Sequence, residues 1–231
     1  MQMKSGNAGV DRWEKQGIII TDDTVTYRKE TGMKKFDRLP PEQRKEEIQM
    51  AALALFHRKG FSRTTMENIV GQVSLSKGGV YRIYGSTTEI LKDLILKGMR
   101  LRNAYYGQQA QKHLEAGEKL SLPMLVEIIT DSLILYPEYA GIYVEFLWEK
   151  RRNPELELLY GQICRTSVEE TGALIRKVGA DDLLMLEPGR LQQMTNLMNG
   201  AVLSVYTLHL EQQYQQQKKK ITEAILCMLK D

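Results

Sequence analysis

The sequence predicts an all-α protein in which a small three-helix unit near the N-terminus is followed by a larger helical domain. Three observations carry this. Apolar residues recur at helical spacing through most of the chain from residue 40 onward. Proline is sparse, at 6 residues in 231, and the 18 glycines mostly stand singly between stretches rich in Leu, Ile, Met, Glu, Gln and Lys, which are strong helix formers. Long alternating runs are missing; only Gly17 to Tyr27 has any strand character. At 42% hydrophobic and 26% charged, the chain suits a folded globular protein rather than a disordered or membrane-embedded one.

Residues 1–39 lack a helical stripe, carry charges of both signs and include the polar cluster Thr21 to Thr24, so they are expected to form a tail with at most one short strand. Met33 reads as an alternative start, which leaves residues 1–32 as an upstream extension rather than part of the working domain. Met1 to Val10 are polar and the apolar run Ile18 to Ile20 is short, so neither a signal peptide nor an anchor is expected and the chain is expected in the cytoplasm.

The first helix opens at Pro40-Pro41, where a missing N–H costs nothing. Ile48, Ala51, Ala52, Leu55 and Phe56 form its apolar face, and Gly60 ends it after Arg58 and Lys59. The second helix is expected to start on a capping box, Thr64-Thr-Met-Glu67, and to bury Met66, Ile69, Val70 and Val73. A break at Ser74-Leu75 precedes Ser76, the cap of a short third helix ending near Tyr84. Ser86-Thr-Thr-Glu89 is a second capping box, opening a long helix with Ile90, Leu91, Leu94 and Ile95 on its inner side.

A supporting helix followed by two short helices around a tight break is the layout of a helix-turn-helix DNA reader. Charge agrees: residues 1–92 hold 16 Lys/Arg against 11 Asp/Glu, a net of +5, and residues 93–231 hold 16 against 18, a net of −2. In the third helix Lys77 and Arg82 supply charge, Tyr81 and Tyr84 supply hydroxyls, and Gly78-Gly79 leaves room for close approach of a phosphate. The same spacing also suits an ordinary helical protein in which Tyr81 and Tyr84 pack on the core.

The run of residues says more than their spacing. Gly60-Phe-Ser-Arg-Thr-Thr65, Met66-Glu-Asn-Ile-Val70, Ser76-Lys-Gly-Gly-Val-Tyr-Arg-Ile-Tyr84 and Ser86-Thr-Thr-Glu-Ile90 together resemble the N-terminal domain of the tetracycline-repressor-like (TetR) family over about residues 43 to 94. The resemblance implies a DNA-binding domain at 40–92 and an effector-binding and dimerisation domain at 93–231. It implies phosphate contacts from Thr64, Thr65, Ser76, Lys77 and the Gly78 backbone, groove contacts from Gly79, Tyr81 and Arg82, and flanking-phosphate contacts from Tyr84 and Thr87. The chain departs from the pattern at Ser74, a turn position often glycine, and at Thr87, often a phosphate-binding lysine.

The larger domain follows the helical period between breaks at Gly117, Pro137, Pro154, Gly179 to Asp182 and Pro188, with Gln212 to Lys220 reading as a solvated turn or helix end. Its aromatics point to a small-molecule pocket, for which Tyr105, Tyr106, His113, Tyr136, Tyr143, Phe146 and Tyr160 are candidates with Glu145, although most are equally suited to plain core. A seam of Leu197, Ala201, Val205 and Leu208 with Ile221 and Ile225 is the candidate homodimer interface, against an internal core stripe. The partners implied are double-stranded DNA with a palindromic operator, a small-molecule effector and a second copy of the chain, and repression is the commoner mode in the family.

Catalysis is not expected. His57, His113 and His209 are isolated, and phosphate-binding, metalloprotease and nucleophile-elbow motifs are missing from the sequence. Cys164 and Cys227 lack partners at metal-ligand spacing and read as buried thiols, so no metal or cofactor is expected. The rival function is a helical, dimeric small-molecule-binding protein without DNA binding.

Overall fold

The computed structural model describes residues 18–20, 25–27, 40–177 and 188–230. The chain divides between Leu94 and Ile95 into two compact units. Residues 1–17, 28–39 and 178–187, which include Met33 and the expected break at Gly179 to Asp182, lie outside the described residues.

In the first unit Ile18–Ile20 (β1) pairs antiparallel with Val25–Tyr27 (β2), Ile18 opposite Tyr27. Two short strands therefore stand where at most one was expected. Three consecutive β-branched isoleucines and Val-Thr-Tyr are what a paired strand favours.

Helix α1 spans Pro41–Lys59, and Ile48, Ala51, Ala52, Leu55 and Phe56 on its inner face are at most 2% exposed. Gly60 ends it at φ 81°, its N–H donating to the Phe56 carbonyl at 2.8 Å, a left-handed geometry that glycine adopts without strain. A 3₁₀ turn at Phe61–Arg63 then sets Phe61 edge-on to Phe56, with centroids 5.2 Å apart.

Helix α2 is only Met66–Val70, shorter than the spacing suggests, and its cap is Thr65 rather than Thr64. Thr65 Oγ1 accepts from the Asn68 N–H and the Asn68 side chain accepts from the Thr65 N–H, both at 3.2 Å, so Asn68 closes the box that was expected of Glu67. Met66 and Ile69 carry the buried face; Val70 and Val73 are half-buried. Helix α3 spans Lys77–Ile83 and starts, as expected, on Ser76, whose Oγ accepts from the Gly79 N–H at 3.2 Å. α1 packs on the 3₁₀ turn and α2, and α2 on α3.

Helix α4, Thr87–Glu115, is capped by Ser86, whose Oγ accepts from the Glu89 N–H at 3.2 Å. The Glu89 carboxylate reaches past the cap residue to the Gly85 N–H at 2.8 Å. Ile90, Leu91 and Leu94 are fully buried.

The second unit contains the remainder of α4 and helices α5 (Leu122–Ser132), α6 (Pro137–Glu149), α7 (Pro154–Lys177), α8 (Pro188–Thr207) and α9 (Glu211–Lys230). α9 packs on α5 and α8, and α6 on α8. One apolar cluster gathers Ala110, Leu125, Val126, Ile129, Ile175 and Ile225; another joins Leu133, Val144, Val202, Val205 and Tyr214.

The Gln/Lys-rich stretch 212–220 is helical rather than a turn. The chain reverses earlier, at residues 208–210, where His209 takes φ 54°. Tyr214 explains the difference: 4% exposed, it donates its hydroxyl to the Thr130 carbonyl at 3.0 Å and so draws the polar stretch onto α5. Neither cysteine is fully buried, contrary to expectation: Cys164 is half-buried and Cys227 exposed. Among the described residues no helix is long and apolar enough to cross a membrane, and no group of His, Cys, Asp or Glu is arranged to hold a metal ion.

Candidate functional site

The local rules that shorten α2 and cap α3 leave one face of the first unit polar and open. Thr65, Ser76, Lys77, Gly78, Tyr81 and Arg82 are exposed there. A Cβ added at Gly78 would meet nothing within 4 Å, so this glycine is required by no packing inside the protein. Gly79 is different. It is half-buried, and a Cβ there would come within 3.3 Å of Ser76 Oγ and 3.5 Å of Leu75, so its smallness lets α3 close on its own cap.

Glu67, exposed on α2, organises this face. One of its carboxylate oxygens lies 3.3 Å from Lys77 Nζ and accepts from the Tyr81 hydroxyl at 3.1 Å, and Lys77 Nζ stands 5.7 Å from the centroid of the Tyr81 ring. A backbone hydrogen bond, then Tyr81 and Lys77, hold the Glu67 carboxyl below its ordinary range, and the hydrogen bond to Glu67 pushes the Tyr81 phenol up. Sequence reasoning used Glu67 only as a cap. No helical period connects positions 67 and 77, so the trio is visible only once the turn is built.

Two of the expected contact residues face inward instead. Thr64 is 5% exposed and donates its hydroxyl to the Gly60 carbonyl at 2.9 Å, which fixes the α1–α2 corner. Tyr84 is 3% exposed; its hydroxyl donates to Asp93 and accepts from Gln49 Nε2, both at 2.7 Å. Lys45 pairs with the same Asp93 oxygen at 2.7 Å and stands 5.7 Å from the Tyr84 ring centroid. Burial and the Asp93 hydrogen bond push the Tyr84 phenol far up. The end of α3 is thus tied to α1 and α4 through Tyr84, and an aromatic there serves positioning rather than contact. Thr87 is half-buried at the start of α4.

The departure at Ser74 has a structural complement. Its N–H donates to Glu47 at 2.6 Å and its hydroxyl to the other carboxylate oxygen at 3.0 Å, hooking the turn between α2 and α3 onto α1. Glycine at this position would keep only the first of these bonds.

In the second unit an open cleft lies among α4, α5, α6, α7 and α8. Of the residues expected to line a pocket, Tyr136 and Tyr143 do, joined by Tyr139, another aromatic of the same stretch, and by Arg102 and Ser132, which sequence reasoning passed over. The Tyr143 hydroxyl donates to Asn199 at 3.1 Å, and Asn199 in turn donates to the Tyr160 hydroxyl at 3.4 Å. Burial pushes the Tyr143 phenol up. A Cβ at Gly98 would sit 2.8 Å from that of Tyr139, so glycine on α4 lets the α6 aromatic come close.

The other expected lining residues stand elsewhere. Phe146 is fully buried, with ring centroids 5.9 Å from Tyr143 and 6.3 Å from Tyr160. Tyr105 and Tyr106 pack on the Ala110–Leu125 cluster, and Tyr106 shares a 3.0 Å hydrogen bond with Ser132. His113 pairs with Glu118 at 2.6 Å at the end of α4. Within the single chain the expected seam is likewise split: Val205 and Ile225 are core residues at 4% and 5% exposure, Leu197, Ala201 and Ile221 are half-buried, and Leu208 is 61% exposed. Helical period finds apolar faces but not which neighbour covers them.

The geometry defines a two-unit helical protein whose N-terminal unit is a helix-turn-helix. Residues 48–94 match the model for bacterial regulatory proteins of the tetR family. The chain is 41% identical over 58 residues to the HTH-type transcriptional regulator YfiR of Bacillus subtilis (strain 168); the match spans 25% of this chain and 28% of the relative. Among solved structures it resembles GusR of Salmonella enterica, with 17% identity, a TM-score of 0.62 and 84% and 100% of the two chains covered. It also resembles FadR of Thermus thermophilus, a TetR-family repressor solved with lauroyl-CoA, with 19% identity, a TM-score of 0.52 and 80% and 93% covered. Residues 48–94 thus carry the N-terminal domain of the tetR family of bacterial regulatory proteins, and the rest of the chain is similar to such regulators in fold.

Proposed function

We propose that the protein is a ligand-responsive transcriptional regulator that binds a palindromic operator as a homodimer and represses until a small molecule releases it. The observation that carries this reading is the open face of α2 and α3, where Lys77, Tyr81 and Arg82 stand exposed beside a glycine that no internal packing requires. Lys77 and Arg82 suit phosphate oxygens or the acceptor edge of guanine, and Thr65 and Ser76 suit phosphate. A single reader of this size has a small footprint, so two copies at half-sites about one helical turn apart are needed for specificity. That Thermus FadR was solved with lauroyl-CoA supports a ligand role for the cleft of the second unit.

The regulatory step is a coupling. A ligand that favours one shape of the body over another lowers DNA affinity, and DNA lowers ligand affinity by the same factor, typically about 5- to 150-fold. No catalytic step is assigned to the chain. The test is selection of bound sequences from random duplex DNA at low and moderate salt. Enrichment of a palindrome with half-sites about ten base pairs apart is expected. No enrichment by folded, dimeric protein at low salt contradicts the reading.

A further inference from the structure

The cleft of the second unit is largely satisfied in its polar groups. Ser132 donates to the Ile129 carbonyl at 2.7 Å and shares a hydrogen bond with Tyr106, and the Tyr143 hydroxyl is held by Asn199. Much of the rest of the lining is apolar, including Ile95, Met99, Leu133 and Ile163. Arg102 is the exception. Arg102 lines the cleft, its guanidinium carbon lies 5.9 Å from the Tyr106 ring centroid, and its Nε is buried with no hydrogen-bond partner among the described residues.

A guanidinium carries five N–H donors and no acceptor, so only an acceptor brought to it can satisfy Nε. A buried donor without an acceptor is unfavourable by about 1–3 kcal/mol. An oxyanion supplies what is missing, because it accepts two parallel N–H bonds from Nε and one Nη. We propose that the cleft takes an organic oxyanion, a carboxylate or phosphate on an apolar body, with Arg102 as the residue that reads its charge.

The inference names the ligand class for the body of the proposed regulator and rests on that reading of the cleft. It is tested on the full chain without DNA, by calorimetric titration with 4-phenylbutyrate, its neutral amide 4-phenylbutanamide, and phenyl phosphate. At neutral pH at least one anion is expected to bind about 10- to 100-fold more tightly than the amide, the range of a charge-assisted hydrogen bond. Which anion binds better tells a carboxylate source from a phosphate source. Arg102→Gln is expected to abolish the preference while leaving the weak binding of the amide in place, and Arg102→Lys to restore part of it. The lysine variant carries the test should the glutamine variant melt early.

Equal affinity for anions and amide, a preference that survives both substitutions, or no binding of any probe at millimolar concentration overturns the proposal. Operator binding is measured separately. An anion preference without DNA binding removes the regulator reading alone, and DNA binding without an anion preference removes this inference alone.

Discussion

The two units of the chain solve the same problem, helices packed on helices, with different polar chemistry. In the first, buried polar side chains join residues far apart in sequence: Glu47 to Ser74, Gln49 to Tyr84, and Tyr84 to Asp93. In the second, neutral hydroxyls and amides join the helices, Tyr106 to Ser132 and Tyr143 to Asn199 between side chains, and Tyr206 to the Leu133 carbonyl and Tyr214 to the Thr130 carbonyl, both at 3.0 Å. Pairs that include a carboxylate, as Glu47 with Ser74 and Asp93 with Tyr84, fix a unique geometry, which suits the proposed DNA-reading surface. Bonds between neutral groups hold helices less strongly than bonds to a carboxylate, which suits the body of the proposed regulator.

The largest expected effect is on DNA. Replacing Lys77 and Arg82 by Ala together removes about two phosphate or base contacts, each worth about 1–3 kcal/mol where a base edge is read, so operator affinity should fall by about 30-fold or more. Equal affinity in a gel-shift titration would place the reading face elsewhere.

Tyr84→Phe is next. It deprives both Gln49 and Asp93 of a buried partner, so the first unit should lose about 1–3 kcal/mol. Hydrogen exchange should rise in α1 to α3 and stay unchanged in α8 and α9; a uniform rise would erase the contrast between the units.

Alkali probes both units at once. Burial raises the phenols of Tyr84, Tyr143, Tyr206 and Tyr214. An unfolded tyrosine loses its proton near pH 10 while these keep theirs, so the unfolded state binds fewer protons and stability must fall as pH rises above about 10. Melting temperatures at pH 8, 10 and 11 check the sign. Tyr84→Phe should shallow the fall, having no phenol to hold.

Glu67→Gln should have a smaller effect on binding, in the opposite direction. Without the carboxylate, Lys77 is freed and one negative charge leaves the face, so affinity for nonspecific DNA should rise several-fold and the salt slope steepen by about one. An unchanged slope would show that Lys77 is free of Glu67 in solution. Smallest of all, His209→Gly relieves a left-handed residue at the α8–α9 corner and should stabilise the chain by about 0.5–1 kcal/mol, read from the denaturant midpoint.

What the sequence could show follows from the same contrast. Ser76 as a cap, Gly60 as a stop and the inner face of α1 are consequences of residues within about a turn of one another, and each stands where local rules place it. The HTH layout was therefore legible, and the run of residues from Gly60 to Ile90 carried the resemblance that the family match over residues 48–94 bears out. The cap at Thr65 was missed by one position, since adjacent threonines offer two hydroxyls and only the corner held by Gly60 decides between them. Tyr84 and Glu67 were misread because their partners lie 9 to 35 residues away, and Arg102 was passed over because the cleft it lines is assembled from five helices. Aromatic content pointed to the cleft but not to its lining, and the apolar stripe of α8 and α9 did not separate core from interface.

The central claim, that α2 and α3 form a DNA-reading face, is tested most directly by the salt dependence of binding to the selected operator. Wild type and the Lys77→Ala, Arg82→Ala double variant would be compared from about 50 to 200 mM salt. The account predicts a slope shallower by one to two in the variant and loss of preference for the selected sequence. Parallel slopes with the preference intact would contradict it.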